Sequence, residues 1–180
     1  MPPLITDPQL IKELAEKQEN ENDHFQSFLL KQNQVDTDKA VHQLNETISS
    51  QVDCTKCGNC CRSLMINITV EEIQSLATHL QLSLPEAKEK YIEESEGGLM
   101  IINTIPCHFL ADNRCTIYTH RFTECRDFPH LYKPNFTKRL FATMMYYSMC
   151  PIIFNVIETL KENLGFKIVQ ISRIESDLDT

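Results

Sequence analysis

The chain has 180 residues, of which 42% are hydrophobic and 23% charged, the composition of a soluble globular protein with a well-formed core. Its formal charge of −8 argues against a nucleic-acid binder held by phosphate contacts. The N-terminal residues lack a basic segment followed by a long apolar one, and apolar runs are only a few residues long. The sequence therefore predicts a cytoplasmic protein that does not enter a membrane.

The first part of the chain is acidic and helical in pattern. Residues 1–53 carry 10 acidic and 4 basic side chains and no cysteine, and their apolar residues recur at helical spacing. Asp7 stands before a proline, which predicts a helix start. A second helix is predicted over residues 36–52, with Asp36 or Thr37 at the break before it. We expect an acidic N-terminal helical arm.

A ten-residue stretch, 53–62, holds four of the eight cysteines in the order Asp-Cys-Thr-Lys-Cys-Gly-Asn-Cys-Cys-Arg. Cysteines three apart in a turn, such as Cys54, Cys57 and Cys60, can direct their sulfurs to one point. Cys60 and Cys61 are adjacent and point in different directions on a helix or a strand. We therefore expect Cys61 to face a second set of downstream cysteines. Eight cysteines could form two four-coordinate sites, or one cluster with four supporting or free thiols.

Short helices and strands follow. Residues 64–68 and 99–105 are rich in β-formers and predict strands. Thr69, with a glutamate three residues later, forms the pattern of a capping box that opens a helix. A second short helix is predicted over residues 85–94 and is stopped by two glycines.

The next cysteines lie on a predicted hairpin. Residues 107–118 read as strand, turn and strand, with Cys107 and Cys115 near opposite ends, so antiparallel pairing would bring these two thiols near each other. A helical turn over residues 117–126 carries Cys125.

The C-terminal part is predicted to be mostly helical. A helix beginning at Asn135 or Thr137 should end near Cys150, and its methionine and aromatic stripe is predicted to be core. A last helix over residues 151–163 and a short strand over residues 166–171 complete the chain.

These elements predict a mainly α fold with a small β-hairpin or sheet, an α+β class, around a cysteine-rich, metal-centred core. Three parts are expected: the helical arm of residues 1–53, a cysteine-cluster metal-binding domain over residues 54–150, and a C-terminal helix and short strand over residues 151–180 packing on the same domain.

Clustered cysteines in a reducing compartment bind metal more often than they form disulfides. Four of the six arginines lie close in sequence to a cysteine, where their charge would favour thiolate and offset the negative charge of a metal–thiolate site. His108, His120 and His130 are each near a cysteine and could replace a thiolate. The candidate metal ligands are Cys54, Cys57, Cys60, Cys61, Cys107, Cys115, Cys125 and Cys150.

The spaced blocks resemble the YkgJ-type cysteine-cluster family, whose members carry a zinc- or iron-chelating domain. The similarity covers about residues 53–151. The blocks that carry it are Cys54-x-x-Cys57-Gly-x-Cys60-Cys61-Arg, Pro106-Cys107-x-Phe109-Leu110, Arg114-Cys115-Thr-Ile-Tyr118, Arg121-x-x-x-Cys125-Arg126-x-Phe-Pro129 and Cys150-Pro151. One departure is Phe122, since the family has a proline after the arginine that precedes the Cys-Arg block. The resemblance implies that Cys150, by itself equally compatible with a buried apolar role, is a ligand.

Two functions remain open from the sequence. The first is a metal-binding protein without catalysis, in which zinc or iron organises the cysteine-rich part. The second is an iron–sulfur enzyme or redox module, which the resemblance allows because a flagellin lysine methylase is similar in its cysteine cluster. With four glycines in the chain, a nucleotide-binding loop is hard to place. The expected partner is the metal ion, with no nucleic acid and no membrane, and the sequence does not identify a protein partner.

Overall fold

The computed structural model describes residues 3–167, where short helices dominate and the strands have two or three residues each. This confirms the mainly α prediction with a small antiparallel sheet. The helices are α1 (Pro8–Lys17), α2 (Glu19–Leu29), α3 (Gln34–Ser49), α4 (Cys54–Cys57), α5 (Asn59–Ser63), α6 (Val70–Leu80), α7 (Leu84–Tyr91), α8 (Thr123–Asp127), α9 (Phe136–Met144) and α10 (Pro151–Asn163), with a 3-10 turn at Tyr118–His120. The strands are β1 (Asn67–Ile68), β2 (Ile92–Glu94), β3 (Met100–Ile102), β4 (Leu110–Ala111) and β5 (Arg114–Cys115).

The strands form two small antiparallel sheets. The first has the order β1-β3-β2, so β3 is its central strand. The second is the β4–β5 hairpin, in which Cys115 lies opposite Leu110. Its two turn residues, Asp112 and Asn113, have φ angles of 47° and 66°. Positive φ at both central residues is the geometry of a tight two-residue hairpin.

Side-chain caps fix the helix starts. Asp7 accepts a hydrogen bond from the Gln9 amide at 2.9 Å, which confirms the predicted start of α1. The capping box at Thr69 is present, with Glu72 as its second member. The predicted start of α3 at 36 was wrong, because the Asn33 side chain caps the helix three residues earlier.

Two predicted helix ends were also wrong. The helix expected to reach residue 94 ends at Tyr91, because Ile92 is extended and pairs with Ile102 of β3. The helix before Cys150 ends at Met144. After it, backbone hydrogen bonds join residues three apart, as in a 3-10 turn, instead of residues four apart.

The methionine and aromatic stripe of α9, which was predicted to be core, is partly exposed. Phe136 and Leu140 are buried, as predicted for the stripe. Phe141 and Met145, which lie four residues apart on one helix face, are 76% and 62% exposed. The stripe is therefore only partly core.

A first cluster of buried residues, the helical core, is built by α1, α2, α3, α9 and α10. Its members are Ile11, Ala15, Phe25, Leu29, Val41, Ile48, Val52, Leu131, Phe136, Leu140, Tyr147, Cys150, Ile152, Ile153, Phe154, Val156, Ile157 and Leu160. Helix α10 is buried on nearly every side because it is apolar on nearly every side. Phe166, just beyond α10, packs back onto Phe25 with ring centroids 5.0 Å apart.

A second cluster, the sheet-side core, lies under α6, α7, the three-stranded sheet and the hairpin. Its members are Ile68, Ile73, Leu76, Ala77, Ala87, Ile92, Met100, Ile102, Phe109, Ile117 and Phe122. Cys107, Cys115 and Cys125 pack against this cluster, whereas Cys150 belongs to the helical core. The cysteines therefore attach to two different cores.

A buried charged network fastens the N-terminal helices to α10. The Lys161 ammonium lies 2.7 Å from a carboxylate oxygen of Glu158 and 3.1 Å from one of Glu21, with its side chain 5% exposed. Tyr147 donates its hydroxyl proton to Glu158 at 2.6 Å, and Gln18 donates to the other oxygen at 2.9 Å. A buried ammonium of this kind persists because it is paired with carboxylates, here those of Glu158 and Glu21.

The division of the chain at residues 53 and 150 stays a prediction, and the helical core draws on all three predicted parts. Of the strand predicted over residues 166–171, residues 168–171 lie outside the described residues, and residues 166 and 167 are not in a strand. Between residues 3 and 167, no helix has both the length and the apolar character needed to cross a bilayer.

Replacing Tyr147 by phenylalanine should weaken this network without changing its shape. A hydrogen bond to a charged group contributes about 1.5–3 kcal/mol, so Tyr147→Phe should lower the free energy of unfolding by about that amount in urea titrations. The control is Tyr146→Phe, whose hydroxyl makes no hydrogen bond within residues 3–167; it should change the free energy by less than about 0.5 kcal/mol. Equal effects of the two substitutions would contradict the role assigned to the Tyr147 hydroxyl.

Candidate metal centre

The first four cysteines lie on two short helical turns. Asp53 accepts a hydrogen bond from the Thr55 amide at 3.0 Å and caps α4. Gly58 ends α4 in the left-handed region, with φ of 61°, and α5 begins at once. This αL residue reverses the chain between Cys57 and Cys60 at little conformational cost, because glycine has no Cβ.

Gly58 also lets the cysteine turns pack tightly on the β4–β5 hairpin. A Cβ on Gly58 would lie 3.0 Å from the Asn113 carbonyl oxygen, a tighter contact than most Cβ atoms make. Arg62 reinforces this contact, donating to the Cys57 carbonyl at 3.1 Å and to the Asn113 side chain. The hairpin that carries Cys115 is thereby held against the turns that carry the first cysteines.

Cys107 is placed by its own backbone. Its amide donates to the Cys61 carbonyl at 2.8 Å, and its carbonyl accepts from the Leu110 amide at 3.0 Å. Cys115 lies opposite Leu110 in the hairpin, so Cys107 precedes the paired residues and does not pair with Cys115 across the strands. Both residues pack against the sheet-side core, and Cys115 is among the causes that raise the pKa of Cys107, so the two thiols are close together, as the hairpin prediction expected.

Two glutamates position Cys125. Glu124 accepts from both the amide and the side chain of Asn67, at 2.9 and 3.1 Å. Glu72 accepts from the Thr123 amide at 2.6 Å and from the Thr69 amide at 3.0 Å, so one carboxylate caps both α6 and α8. Helix α8 has only five residues, and these bonds tie it to the sheet-side core.

Cys150 is brought in from the other side. It is 7% exposed and directly precedes α10. The Asn59 side chain donates to the Met149 carbonyl at 2.8 Å, which joins the residue before Cys60 to the residue before Cys150. A contact across 90 positions of sequence cannot be read from local patterns, and sequence analysis did not identify Asn59.

The pKa shifts of the thiols indicate which cysteines are neighbours. Burial raises the pKa of Cys150 to about 12, and the nearby Cys54 and Cys57 add to the rise. Burial also raises the pKa of Cys125 to about 12, and the nearby Cys61, Cys107 and Cys115 add to the rise. Cys61 is in turn among the causes that raise the pKa of Cys107 and of Cys115. Like charges disfavour one another's ionised forms, so each such effect marks thiols close in space.

These neighbours define two groups. The inner group comprises Cys54, Cys57, Cys60 and Cys150, and the cavity group comprises Cys61, Cys107, Cys115 and Cys125. The two groups overlap, because Cys61 is also among the causes that raise the pKa of Cys54. The groups meet at the adjacent residues Cys60 and Cys61. A thiol hydrogen bond from Cys60 lowers the pKa of Cys61 and raises that of Cys60.

The separation of Cys60 and Cys61 is smaller than their adjacency in sequence suggested. Their sulfurs are 4.0 Å apart. Two thiolates on one tetrahedral zinc, each about 2.3 Å from the ion, stand about 3.8 Å apart. The distance therefore allows a shared ion, and Cys54 is a neighbour of both thiols.

The donor set suits a thiophilic metal. Zinc and iron–sulfur clusters are held by thiolates, and all eight cysteines are free thiols, none paired in a disulfide. Within residues 3–167, no three histidine, cysteine, aspartate or glutamate side chains already converge on a common point at ligand distances.

A cavity of about 580 Å³ opens beside the thiols. The whole cavity group lines it, together with Cys54 and Cys60, whereas Cys57 and Cys150 do not. Its remaining wall comes from both cores, with Val52 and Ile152 on one side and Phe109 and Phe122 on the other. Sequence analysis did not predict this space, because its two walls come from distant parts of the chain.

Arg121 and Arg126, two of the arginines near cysteines in sequence, make different contacts. The Arg121 guanidinium lies 4.0 Å from the ring centroid of Tyr118 and lines the cavity. Its positive charge lowers the pKa of Cys61 and opposes the effect of burial at Cys54, Cys115 and Cys125. Arg126 instead donates to the Arg121 carbonyl and to Thr123.

The three histidines near cysteines have different surroundings. His108 bonds the Asn103 side chain at 2.7 Å, and His120 stacks on the exposed His79 with centroids 3.9 Å apart. Only His130 of these three lines the cavity. Burial is the main cause that lowers its pKa, and its buried Nδ1 has no hydrogen-bond partner within residues 3–167.

A family model described as "Putative zinc- or iron-chelating domain", CxxCxxCC, matches residues 53–151, more than half of the chain. The matched range contains all eight cysteines and ends just after Cys150. No solved structure matches this chain.

The cap that Glu72 provides should fail in acid. Partial burial would raise the pKa of Glu72, but the amides of Thr123 and Thr69 outweigh it, so the pKa is lowered from 4.5. The stabilisation is therefore complete above about pH 4.5 and is lost as the pH falls through the lowered pKa. Glu72→Gln should reduce the free energy of unfolding at pH 7, and the difference from wild type should shrink as urea titrations are moved below pH 4.5.

Glu89→Gln serves as the matched control, since Glu89 is an exposed carboxylate on α7. It should change the free energy of unfolding by less than about 0.5 kcal/mol. A Glu72→Gln effect of the same size at pH 7 and pH 4 would show that the charge of Glu72 does not hold α8.

Proposed function

Since this chain belongs to the CxxCxxCC family of zinc- or iron-chelating domains, we propose that it is a metal-binding protein whose eight cysteines bind zinc or iron as thiolates. The proposed ligands are Cys54, Cys57, Cys60, Cys61, Cys107, Cys115, Cys125 and Cys150.

The observation that carries this proposal is the convergence of thiols from five separate places in the chain. Cysteines three residues apart could gather by local structure alone. Cys107, Cys115, Cys125 and Cys150 come from a loop, a hairpin, a short helix and the start of α10, and each has another cysteine among the causes of its raised pKa. Packing of small apolar residues gives no reason for all eight to gather.

The two groups each supply four sulfurs. Four thiolates complete a tetrahedral zinc site, and four cysteines also hold one iron–sulfur cluster. We propose that the inner group and the cavity group are separate ligand sets that touch at Cys60 and Cys61. Arg121 and Arg62, whose charges lower the pKa of Cys61, favour its thiolate form.

Metal in these sets would connect the two cores. The inner group includes Cys150 of the helical core, and three members of the cavity group pack against the sheet-side core. Structural zinc contributes roughly 10 kcal/mol or more of folding free energy in small domains. A large part of the stability of this protein would then depend on its metal.

An iron–sulfur enzyme or redox module is the second candidate. The cavity favours it, since about 580 Å³ is in the size range of ligand pockets and much larger than a metal ion needs. A bound cluster would supply electron transfer or Lewis acidity beside that space. We place either form of the protein in the cytoplasm, where thiols stay reduced.

The purified protein should reveal which candidate is right. Prepared without oxygen, a zinc protein is colourless and contains stoichiometric zinc by elemental analysis. A cluster protein is brown and contains iron and labile sulfide in nearly equal amounts. Iron with sulfide would reject the zinc form, and colourless zinc protein would reject the cluster form.

Cys57→Ser tests the ligand assignment. Loss of this thiol should lower the metal content measured by elemental analysis and increase hydrogen exchange across residues 53–130, because the cysteine turns and hairpin lose their common anchor. His79→Ala is the control, because His79 is exposed and contacts His120 rather than a thiol. It should retain full metal. Full metal in Cys57→Ser would remove Cys57 from the ligand set.

A further inference from the structure

We propose that the cavity between the two cores binds a small aromatic carboxylate, with the carboxylate paired to Arg121 and the aromatic ring against Phe128 and Tyr146. All three of these residues line the cavity. The ligand adds an organic molecule to the proposed metal-binding function, and its binding does not depend on how the cysteines divide among metal ions.

The walls of the cavity suit an apolar molecule. Val52 and Ile152 of the helical core lie on one side, and Phe109 and Phe122 of the sheet-side core lie on the other. A volume of about 580 Å³ is in the range that holds small organic ligands. Such pockets are mostly apolar, and a few polar groups in them fix the orientation of the ligand. The charged residues that line the cavity therefore indicate which polar group the ligand carries.

The carboxylates that line the cavity already have partners. The Asp53 side chain caps α4. Glu124 accepts two hydrogen bonds from Asn67, and Asp127 pairs with Lys133 at 3.4 Å. Within residues 3–167, no arginine forms an ion pair with a carboxylate. The positive charge of the cavity lining is therefore not neutralised by the carboxylates beside it.

Of the two arginines that line the cavity, Arg121 has its donors available. Arg126 donates to the Arg121 carbonyl and to the Thr123 hydroxyl. The Arg121 guanidinium rests on the Tyr118 ring at 4.0 Å and, within residues 3–167, makes no ion pair and no side-chain hydrogen bond. Stacking covers the face of a guanidinium and leaves the N–H groups at its edge free. A carboxylate matches these groups with two parallel hydrogen bonds, which a single sulfur cannot do.

The aromatic part of the proposed site lies at the other end of α8. Phe128 directly follows this helix, and its ring meets the Tyr146 ring edge to face with centroids 5.4 Å apart. The His130 ring contacts Phe128 in the same way, at 6.2 Å. All three rings line the cavity and are partly exposed. Because aromatic rings pack well in edge-to-face and offset arrangements, a ring on the ligand would extend this cluster.

Helix α8 sets the distance between the two parts of the site. It has five residues, so at a rise of about 1.5 Å per residue it is about 7.5 Å long. Arg121 lies just before this helix and Phe128 just after it. A molecule with a carboxylate at one end and a ring at the other fits this arrangement. It would pass beside Cys125, which is on α8 and also lines the cavity.

Calorimetric titration with 2-naphthoate tests the site in protein purified without oxygen and shown by elemental analysis to contain metal. The neutral 2-naphthamide has nearly the same shape, and acetate has the carboxylate without the rings. We expect 2-naphthoate to bind at least about tenfold more tightly than 2-naphthamide, the effect of a charge-assisted hydrogen bond. Equal affinity for these two probes would overturn the carboxylate, and acetate binding as tightly as 2-naphthoate would overturn the aromatic ring.

Arg121→Gln should remove the preference for 2-naphthoate over 2-naphthamide. Arg114→Gln is the matched control, because Arg114 is exposed on the hairpin and does not line the cavity, and it should keep that preference. A preference that survives in Arg121→Gln would show that the carboxylate binds elsewhere, for example to the metal, and would overturn the inference.

Phe128→Leu tests the aromatic part and retains an apolar side chain. It should weaken the binding of 2-naphthoate about two- to tenfold, the range of one aromatic pair, and leave the preference over 2-naphthamide in place. Phe141→Leu is the control, since Phe141 is exposed on α9 and does not line the cavity. Equal effects of the two substitutions would remove Phe128 from the site.

Failure of the cavity inference can be told apart from failure of the proposed function. Protein that contains metal but does not bind 2-naphthoate would reject the cavity inference and leave metal binding intact. Protein that binds neither zinc nor iron would reject the proposed function.

Discussion

The close contact between Gly58 and the hairpin turn at Asn113 is the constraint on which the rest of the cysteine region depends. A side chain at residue 58 would press against the Asn113 backbone carbonyl and would also have to adopt a left-handed backbone, so the contact favours glycine. Because the contact forms, the turns bearing the first cysteines lie directly against the strand that ends in Cys115. Arg62 bonds both partners of this contact. The later cysteines thus meet a surface whose geometry is already fixed.

The protein has two hydrophobic cores, and the cysteines lie where they face each other. Each core is formed by ordinary amphipathic helices and short strands, but the cavity between them leaves apolar walls without direct packing. Thiolates bound to a metal would replace packing with coordination at this place. The buried network around Lys161 secures the far end of the helical core, so the two ends of that core are held by different physical interactions.

Local structure in this protein was largely predictable from sequence, and tertiary relations were not. Asp7, Thr69 and the proline at residue 151 mark helix starts by backbone chemistry that acts over three or four residues. The helix end at Tyr91 was missed because pairing of Ile92 with Ile102 is a tertiary effect that overrides helical propensity.

The candidate site shows the same limit. Motif spacing identified the eight cysteines as candidate ligands, and their division between two sets stays a prediction. The contacts by which Asn59, Glu72 and Glu124 position them were missed because each joins residues at least 50 positions apart. No periodic pattern encodes such a contact.

The position of Cys150 has a consequence for the unfolded chain as well as the folded one. An ion that stayed bound to Cys60 and Cys150 in the denatured chain would cross-link two points about 90 residues apart, which encloses half of the protein in one ring. For a cross-link around 100 residues, the chain-entropy model assigns roughly 4.7 kcal/mol of destabilisation to the denatured state. Because Cys150 lies near the end of the matched region rather than within the first cluster, a single bound ion would restrict the denatured conformations of about half of the chain.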